Sequence, residues 1–276
     1  MKYTCVAADL DGTLLDSGKK VSDKTKRVLA SLAAAGIPFI PATGRPFYAI
    51  GNDVLTLPGV RYAVVSNGVA VYDVAAQKPV YALYLPAAFV PSLLEAMKGE
   101  NVAYECMYAG RAYIAAEVYA QLAQRHPDEA VARYFRNTRT PVEDLETFMR
   151  THAQHLEAVD LRLDPQRQDL LRARIQAECP PVYITASEPG RLEISHTGSG
   201  KHRGVEKACA FLGASLAGLV AFGDNDNDTE MLTHAALGIA VANATPLCKA
   251  AAGRICLSNE EDGVAQALMQ IFSGGL

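Results

Sequence analysis

Short apolar runs alternate with helical patterns at both ends of this chain, and no other feature restricts its fold as much. Residues 4–10 and 37–42 are apolar without polar alternation, as expected of strands that are covered on both faces. Between them, Ser22 is a good N-cap for a helix that Gly36 can end. Because parallel strands need a crossover between them, this alternation predicts a parallel α/β sheet.

The same alternation continues along the first part of the chain and returns at its end. Residues 47–57 have a helical pattern, and a third strand is expected over 62–66, before a turn at Asn67-Gly68. In the C-terminal part, strands are expected over 216–222, 237–241 and 254–257, and helices over 227–235, 246–252 and 263–272. These segments predict an α/β core with a Rossmann-like, doubly wound parallel sheet.

The middle of the chain has a different pattern, in which several strands alternate apolar and polar residues. Strands are expected over 80–85, 103–108, 112–116, 156–163, 182–186 and 192–195, and helices over 87–98, 117–125, 142–152 and 166–178. Alternation suggests a sheet with one face in water. We therefore predict an inserted α+β cap domain over 82–189, interrupting a core made of 1–81 and 190–276.

Composition excludes several classes of protein. The 276 residues carry a net charge of −4 without a long basic run, which argues against a general nucleic-acid partner. No stretch reaches the ~20 apolar residues of a membrane span, and no signal-peptide pattern precedes the first strand. The 6 cysteines are scattered without a C-x-x-C pair. These features predict a cytoplasmic monomer or small homo-oligomer with reduced thiols.

The first polar motif, DLDGTLL at residues 9–15, directly follows the first predicted strand. Ligands of open α/β sheets bind outside the carboxyl ends of the strands, so this position indicates a site. Asp9 and Asp11 can both face it, one as a nucleophile and one as the acid that protonates a leaving oxygen and then activates water. Gly12 permits a tight turn and lets backbone amides approach an anion.

Two further motifs offer groups that can hold phosphate. In ATGRP at residues 42–46, the Thr43 hydroxyl and the Gly44 amide can bind phosphate oxygens, although a plain turn before a helix has the same character. Lys201 in SGKHRGV lies near a predicted helix start and can neutralise a phosphoryl group, although a lone lysine is usually a solvated surface residue. Each motif therefore gains its weight from the others.

The acidic loop GDNDND at residues 223–228 follows another predicted strand. Clustered oxygen ligands suit Mg²⁺, which takes few protein carboxylates and keeps several waters. The spacing of an EF-hand calcium loop is missing, and a plain acidic turn at a helix start is the structural alternative. Together with the carboxylates, the hydroxyl and the lysine above, this loop completes the groups needed for metal-assisted phosphoryl transfer through an aspartyl-phosphate.

These motifs identify the chain as a member of the haloacid dehalogenase superfamily, and it resembles the Cof-type hydrolases with a class IIB cap. The resemblance covers the whole chain, and the pattern GDxxNDxxM is satisfied by Gly223, Asp224, Asn227, Asp228 and Met231. Secondary matches are SNG at 66–68, K-x-x-G-V at 201–205, VANA at 241–244 and EDGVAQAL at 261–268. The combination is highly specific to this superfamily.

The resemblance implies an Mg²⁺ cofactor and a small phosphorylated metabolite as substrate, of which a sugar phosphate is the commonest case. It also implies a role for each motif residue. Asp9 resembles the nucleophile, and Asp11 resembles the general acid/base whose backbone carbonyl also meets the metal. Asp228 would support the metal or orient Lys201. The implied catalytic residues are Asp9, Asp11, Thr43 and Lys201; the implied phosphate-binding residues are Gly12, Thr43, Gly44, Lys201 and Asn227; the implied metal ligands are Asp9, Asp11, Asp224 and Asp228.

Other activities compete with hydrolysis of a phosphate ester. Asp11 argues against dehalogenation, because halide leaves without a proton whereas an alkoxide needs one. A phosphotransferase or phosphomutase would use the same phosphoenzyme and differ in the acceptor of the phosphoryl group. A non-catalytic binding protein has no need of a repulsive carboxylate cluster, and a P-type pump would need membrane helices.

The predicted cap contains no readable substrate code. Arg133, Arg136 and Arg139 recur every three residues and could attract an anion, but a solvated basic face is the preferred interpretation. His152 and His155 could bind a metal, yet with no acidic or cysteine partner nearby they are expected to be surface residues. A predicted hairpin tip carries Met107, Tyr108 and Arg111, where a cap could reach its substrate.

Overall fold

The computed structural model describes residues 2–186 and 188–272. The predicted domain ranges also include residues 1, 187 and 273–276, which lie outside the described residues. The described chain forms two compact units. The first contains residues 2–44, 50–81 and 200–272, and the second contains residues 45–49 and 82–199 except for residue 187.

The strands are numbered in chain order. They are β1 (Cys5–Ala8), β2 (Phe39–Pro41), β3 (Tyr62–Val65), β4 (Ala70–Asp73), β5 (Lys78–Ala82), β6 (Ala103–Tyr108), β7 (Arg111–Ala115), β8 (Arg139–Val142), β9 (Leu156–Arg162), β10 (Val182–Thr185), β11 (Arg191–His196), β12 (Leu219–Gly223), β13 (Leu237–Ala240) and β14 (Arg254–Ile255).

The α-helices are numbered in the same way. They are α1 (Asp23–Ala34), α2 (Asn52–Leu55), α3 (Phe89–Ala96), α4 (Ala116–Tyr119), α5 (Glu129–Thr138), α6 (Leu145–Thr151), α7 (Gln168–Glu178), α8 (Lys201–Phe211), α9 (Thr229–His234), α10 (Pro246–Ala251) and α11 (Gly263–Phe272). Helix α1 begins after Ser22, whose hydroxyl accepts a hydrogen bond from the Thr25 amide, as the capping pattern predicts.

The first unit is built on a parallel sheet with the strand order β14-β13-β12-β1-β2. Val6 of β1 lies between Val220 of β12 and Phe39 of β2, and β1 and β12 are buried along their whole length. The predicted α/β class is therefore confirmed. Because β1 and β12 are parallel neighbours, the segments that follow them, from Asp9 and from Asp224, leave the same edge of the sheet.

The expectation that 62–66 forms a third strand of this parallel sheet is wrong in its pairing. Strand β3 pairs antiparallel with β4 in a three-stranded sheet that also contains β5, and an isolated parallel bridge joins Val64 to Ala42, the residue after β2. Positive φ angles at Ser66, Asn67 and Gly68 reverse the chain immediately after β3, so that β4 returns along β3. The predicted strand over 80–85 corresponds to β5, which ends three residues earlier.

The second unit is a six-stranded mixed sheet with the order β10-β11-β9-β6-β7-β8. The residues of β6, β9 and β11 that point to one side, such as Cys106, Val159 and Ile194, join an apolar core with residues of α3, α6 and α7. This architecture confirms the predicted α+β class of the middle segment. Residues 190–199, assigned to the core from the sequence, lie in this unit because β11 pairs with both β9 and β10.

The arginine triplet is not a solvated basic face. Arg133 and Arg136 are exposed on α5, but Arg139 begins β8 and its side chain is 2% exposed. Its Nε and Nη2 atoms donate to the two carboxylate oxygens of Glu105 at 2.7 and 2.6 Å. The every-third spacing was misleading because α5 ends at Thr138, so Arg139 leaves the helix face that its neighbours share. Neither α5 nor β8 was predicted from the sequence.

Arg139→Met is expected to lower the free energy of unfolding by about 3–5 kcal/mol, because Glu105 would remain buried without its partner. Arg133→Met removes an exposed arginine from the preceding helix and is expected to change stability by less than about 0.5 kcal/mol. Urea unfolding followed by circular dichroism measures both. Equal stability of the two variants would contradict the assignment of Arg139 to a buried ion pair.

The other residues singled out in the middle segment are placed by side-chain packing. Tyr108 packs among aromatic neighbours, including His152 at a ring-centroid distance of 4.3 Å, while His155 is exposed beside Tyr84. The hairpin tip at residues 109–110 is present, but Met107 is buried and is not available to a ligand from that tip. None of the helices in the described part combines the length and apolar composition of a membrane span.

Candidate active site

The carboxyl ends of β1 and β12 bring together three carboxylates and one ammonium group. The Lys201 Nζ atom lies 2.6 Å from Asp9 Oδ1 and 2.7 Å from Asp228 Oδ1. All three of these side chains are buried, and Asp228 is not exposed at all. Asp224 supplies a third carboxylate, with an oxygen within 4.8 Å of oxygens of Asp9 and Asp228. The structure thus assembles predicted site residues that are distant in sequence.

The loop after β12 is shaped by its own hydrogen bonds. The Asp228 Oδ2 atom accepts hydrogen bonds from the amides of Asp224 and Asn225, each at 3.1 Å. This closes the loop on itself and leaves Asp228 Oδ1 for Lys201. Gly223 is required beside it, because a Cβ atom there would lie 2.5 Å from Asp228 Cβ. Asp228 therefore orients both the loop and the lysine.

The loop after β1 approaches the acidic loop closely at Gly12. Gly12 has φ +84°, and a Cβ atom at this position would lie 2.6 Å from Asp224 Oδ2. The Thr13 hydroxyl donates to Asp224 Oδ1 at 2.7 Å, and Asn243 Nδ2 donates to the Gly12 carbonyl at 2.8 Å. Thr13 and Asn243 belong to the motifs DLDGTLL and VANA, but no role was predicted for either residue. Their position within motifs was the available signal.

Burial and charge determine the protonation of the cluster. Burial raises the pKa of the Asp9 carboxyl well above its ordinary value, Asp228 and Asp224 raise it further, and Lys201 opposes them. The pKa of Asp224 is raised by burial and by Asp228. Burial by itself would lower the pKa of Lys201, but Asp228 and Asp9 raise it above its ordinary value. Lys201 is therefore a fixed positive charge that pairs with Asp9 and Asp228, while Asp224 adds a third carboxylate beside them.

This excess of carboxylate over ammonium charge fits a divalent cation. Asp9, Asp224 and Asp228 offer hard oxygen ligands within 4.8 Å of one another, the donor type that Mg²⁺ prefers. A bound cation would favour the ionised form of each carboxyl and so offset the raised pKa values of Asp9 and Asp224. The donor set thus passes the chemical test for a metal site.

Asp11 stands apart from this cluster. Its side chain is 37% exposed, and its Oδ1 atom lies 2.7 Å from the Lys19 Nζ atom. The group of three candidate ligands includes the carboxylates of Asp9, Asp224 and Asp228 but not that of Asp11. No sequence pattern predicts the ion pair with Lys19. The metal contact predicted for Asp11 through its backbone carbonyl stays a prediction.

Three residues with a predicted phosphate-binding role, Thr43, Gly44 and Asn227, lie against Asn67. Thr43 is buried, and its amide donates to the Val64 carbonyl at 2.9 Å while its carbonyl accepts from the Asn67 amide at 3.0 Å. Asn227 Nδ2 donates to Asn67 Oδ1 at 3.0 Å. The structure thus links Thr43 and Asn227 through Asn67, for which the sequence predicts a turn with Gly68 and a match to the motif SNG but no role in the site.

Comparisons with known proteins agree with this geometry. The sequence profile of the haloacid dehalogenase-like hydrolases matches residues 6–268. The chain is similar to the 5-amino-6-(5-phospho-D-ribitylamino)uracil phosphatase YitU of Bacillus subtilis, with 29% identity over 97% of each chain. It is 30% identical to the pyridoxal phosphate phosphatase YbhA of Escherichia coli, over 96% of this chain and 97% of that one.

A solved subclass IIB sugar phosphatase has the same fold, with a TM-score of 0.78 and 21% identity over 98% of this chain and 99% of that chain. The parallel sheet with a carboxylate–lysine centre at its strand ends, together with these matches, defines a hydrolytic α/β enzyme. The chain belongs to the haloacid dehalogenase-like hydrolases. The predicted enzyme class, a phosphatase of that superfamily, is confirmed.

Proposed function

We propose that the chain is an Mg²⁺-dependent phosphatase of small phosphorylated metabolites that works through an aspartyl-phosphate on Asp9. The observation that carries this proposal is the buried cluster in which Lys201 lies 2.6 Å from Asp9 and 2.7 Å from Asp228. Burying several carboxylates around one lysine is costly for a structural core. A cation bound among these carboxylates would offset their repulsion and attract a dianionic phosphate, so a catalytic role accounts for the cost.

In the proposed reaction an Asp9 carboxylate oxygen attacks phosphorus, and the bond from phosphorus to the leaving oxygen breaks. Lys201 stays protonated and offsets the negative charge of the phosphoryl oxygens. Thr43, the Gly44 amide and Asn227 hold these oxygens in place for in-line attack. Asp9, Asp224, Asp228 and the Asp11 carbonyl would hold Mg²⁺, which when bound supplies further positive charge against the phosphate dianion.

Asp11 is the proposed proton carrier. In the first half of the reaction its protonated carboxyl gives a proton to the leaving alkoxide, and in the second half its carboxylate removes a proton from the attacking water. Water then displaces Asp9 and releases inorganic phosphate. The partial exposure of Asp11 suits a group that exchanges protons rather than one buried as a ligand.

Asp11→Asn is expected to separate the two halves of the reaction. With p-nitrophenyl phosphate the leaving group departs without a proton, so we expect a burst of one p-nitrophenolate per active site followed by turnover slowed about 10²–10⁴-fold. With an alkyl phosphate such as a sugar phosphate we expect no burst. Stopped-flow absorbance and rapid-quench assays measure both.

Asp16→Asn is the matched control, since Asp16 lies in the same loop. Its carboxylate accepts a hydrogen bond from the Lys20 amide instead of facing the centre. This variant is expected to retain wild-type kinetics. The assignment of Asp11 would be wrong if Asp11→Asn hydrolysed sugar phosphates at the wild-type rate, or if it lost the burst with p-nitrophenyl phosphate.

The substrate is expected among small phosphate monoesters, with sugar phosphates first. The names of the two relatives, a ribitylaminouracil phosphate phosphatase and a pyridoxal phosphate phosphatase, support adding phosphorylated nitrogen heterocycles to the candidates. We assign selection of the leaving group to the inserted domain predicted over 82–189, acting as a lid that excludes water before attack.

A phosphate-release screen tests the proposal directly. It compares sugar phosphates, nucleotides, flavin mononucleotide and pyridoxal phosphate, each with MgCl₂ and with EDTA. We expect release from at least one ester with MgCl₂ and none with EDTA. Release that is equal in EDTA would overturn the metal assignment, and dependence on glucose 1,6-bisphosphate would indicate a phosphomutase instead.

A further inference from the structure

The segment from Ser66 to Gly68 forms a buried stretch of left-handed backbone. Its φ angles are 48° at Ser66, 55° at Asn67 and 85° at Gly68. Glycine adopts such angles freely, whereas Ser66 and Asn67 adopt them at a conformational cost. Both side chains are buried, with 2% and 6% of their surface exposed. A buried asparagine in a conformation that favours glycine indicates that its side chain has a role of its own.

The main chain of Asn67 joins two motifs of the centre. Its amide donates to the Thr43 carbonyl at 3.0 Å, and its carbonyl accepts from the Gly200 amide at 3.0 Å. Gly200 directly precedes Lys201, so the same peptide segment fixes the loop of Thr43 and the start of α8. The start of α8 also lies against Gly68, where a Cβ atom would be 2.1 Å from the Gly200 carbonyl oxygen.

The side chain of Asn67 contacts Gly44 and Asn227, the two other residues near it with a predicted phosphate-binding role. Its Oδ1 atom accepts a hydrogen bond from Asn227 Nδ2 at 3.0 Å. The side-chain amide of Asn67 also lies against Gly44, since a Cβ atom added to Gly44 would be 3.3 Å from Asn67 Oδ1. An amide nitrogen carries two hydrogens, so the bond to Asn67 fixes the Asn227 amide plane and leaves the second hydrogen for a ligand. The buried Asn227 side chain thereby has one defined orientation.

We propose that Asn67 is the positioning residue of the phosphate-binding side: its left-handed backbone spaces Thr43 from the start of α8, and its side-chain oxygen orients Asn227 toward the phosphoryl group. This inference rests on the proposed function, because it assigns Asn227 to the phosphate. It explains why asparagine occupies a position at which glycine would cost less conformational free energy.

Asn67→Gly separates the two parts of this role. Glycine adopts the same backbone angles, so the main-chain bonds to Thr43 and Gly200 are retained, and the relief of left-handed strain offsets part of the loss of the buried side-chain hydrogen bond. The melting temperature is therefore expected to fall by only a few degrees. The Asn227 amide loses its partner. We expect kcat/KM for the best substrate to fall about 10- to 100-fold, the range found when an orienting partner is removed. We also expect weaker binding of inorganic phosphate by calorimetry in MgCl₂.

A double-mutant cycle with Asn227→Ala distinguishes positioning from a general structural effect. If Asn67 acts through Asn227, Asn67→Gly adds less than about a twofold loss once Asn227 has been truncated. Gln77→Gly is the matched control, because Gln77 is an exposed non-glycine residue with φ 52° outside the centre. It is expected to leave kcat/KM and phosphate binding unchanged.

The outcomes separate this inference from the proposed function. A wild type that binds phosphate but hydrolyses no ester overturns the proposed function, while the phosphate-binding cycle still decides the role of Asn67. Equal phosphate affinity and equal kcat/KM in the wild type and Asn67→Gly overturn the inference alone. Fully additive losses in the double mutant overturn it as well, and a wild type that binds no phosphate overturns both.

Discussion

The Asp9→Asn protein is expected to release no phosphate from any ester that the wild type hydrolyses and to form no phosphoenzyme. The amide is a far weaker nucleophile than the carboxylate, so the covalent step is lost. The expected loss in kcat is at least about 10⁴-fold, comparable with removal of a nucleophile in other covalent enzymes. Acid quenching after incubation with a ³²P-labelled ester measures the phosphoenzyme, and phosphate release measures turnover.

The same variant is expected to fold at least as well as the wild type when metal is absent. The substitution would remove one of the two carboxylates that pair with Lys201, and the lysine would keep Asp228 at 2.7 Å. The burial and like charges that raise the pKa of Asp9 indicate that its ionised form costs free energy in the folded state. Thermal unfolding in EDTA is therefore expected to give an unchanged or higher melting temperature.

Asp226→Asn provides the matched control for the nucleophile. Asp226 belongs to the same acidic sequence as Asp224 and Asp228, but it is exposed and its Oδ1 atom accepts from the Thr245 hydroxyl. This variant is expected to retain kcat within about threefold, as surface changes away from a site usually do. Normal turnover by Asp9→Asn, or phosphoenzyme formation in it, would contradict the assigned nucleophile.

Lys201→Met is expected to lose both activity and stability, which is the opposite stability outcome from Asp9→Asn. Removing one group that stabilises transition-state charge costs about 10²–10³-fold in kcat. The variant also leaves Asp9 and Asp228 buried without their shared cation, and loss of one partner of a buried ion pair costs about 3–5 kcal/mol. Steady-state kinetics and urea unfolding in EDTA measure the two effects.

The stability loss in Lys201→Met is expected to shrink in MgCl₂, since a cation bound to the carboxylates replaces part of the missing charge. Lys207→Met is the matched control, because Lys207 is an exposed lysine of the same helix. It should behave like the wild type in both measurements. If Lys201→Met were as stable as Lys207→Met in EDTA, the buried charge cluster would not have the energetic role assigned to it.

The meeting of Asp9 with Asp224 could be predicted because it follows from local patterns. Both residues directly follow apolar strands, and parallel strands present their carboxyl ends at one edge of the sheet. The place of Lys201 was implied by the resemblance alone. It lies 192 residues from Asp9 along the chain, and no local periodicity indicates that the start of α8 lies over that edge.

The roles of Thr13, Asn67 and Asn243 could not be predicted, because each acts through a hydrogen bond to a distant segment. Thr13 donates a hydrogen bond to Asp224, Asn67 accepts one from Asn227, and Asn243 donates one to the Gly12 carbonyl. A side chain's partner depends on which loops meet, and spacing within one loop does not contain that information. The left-handed angle at Asn67 had one local signal, the Asn-Gly dipeptide, which predicts a turn but not a contact.

The sequence by itself determined the alternation of strands and helices, the placement of carboxylates at strand ends and the α/β class, because burial on both faces and backbone capping are local requirements. Only the tertiary structure decided that β3 turns back on β4, that Arg139 is buried against Glu105, and that Lys201 pairs with both Asp9 and Asp228. These depend on desolvation and charge pairing between segments far apart in the chain, which arise only once the chain has folded.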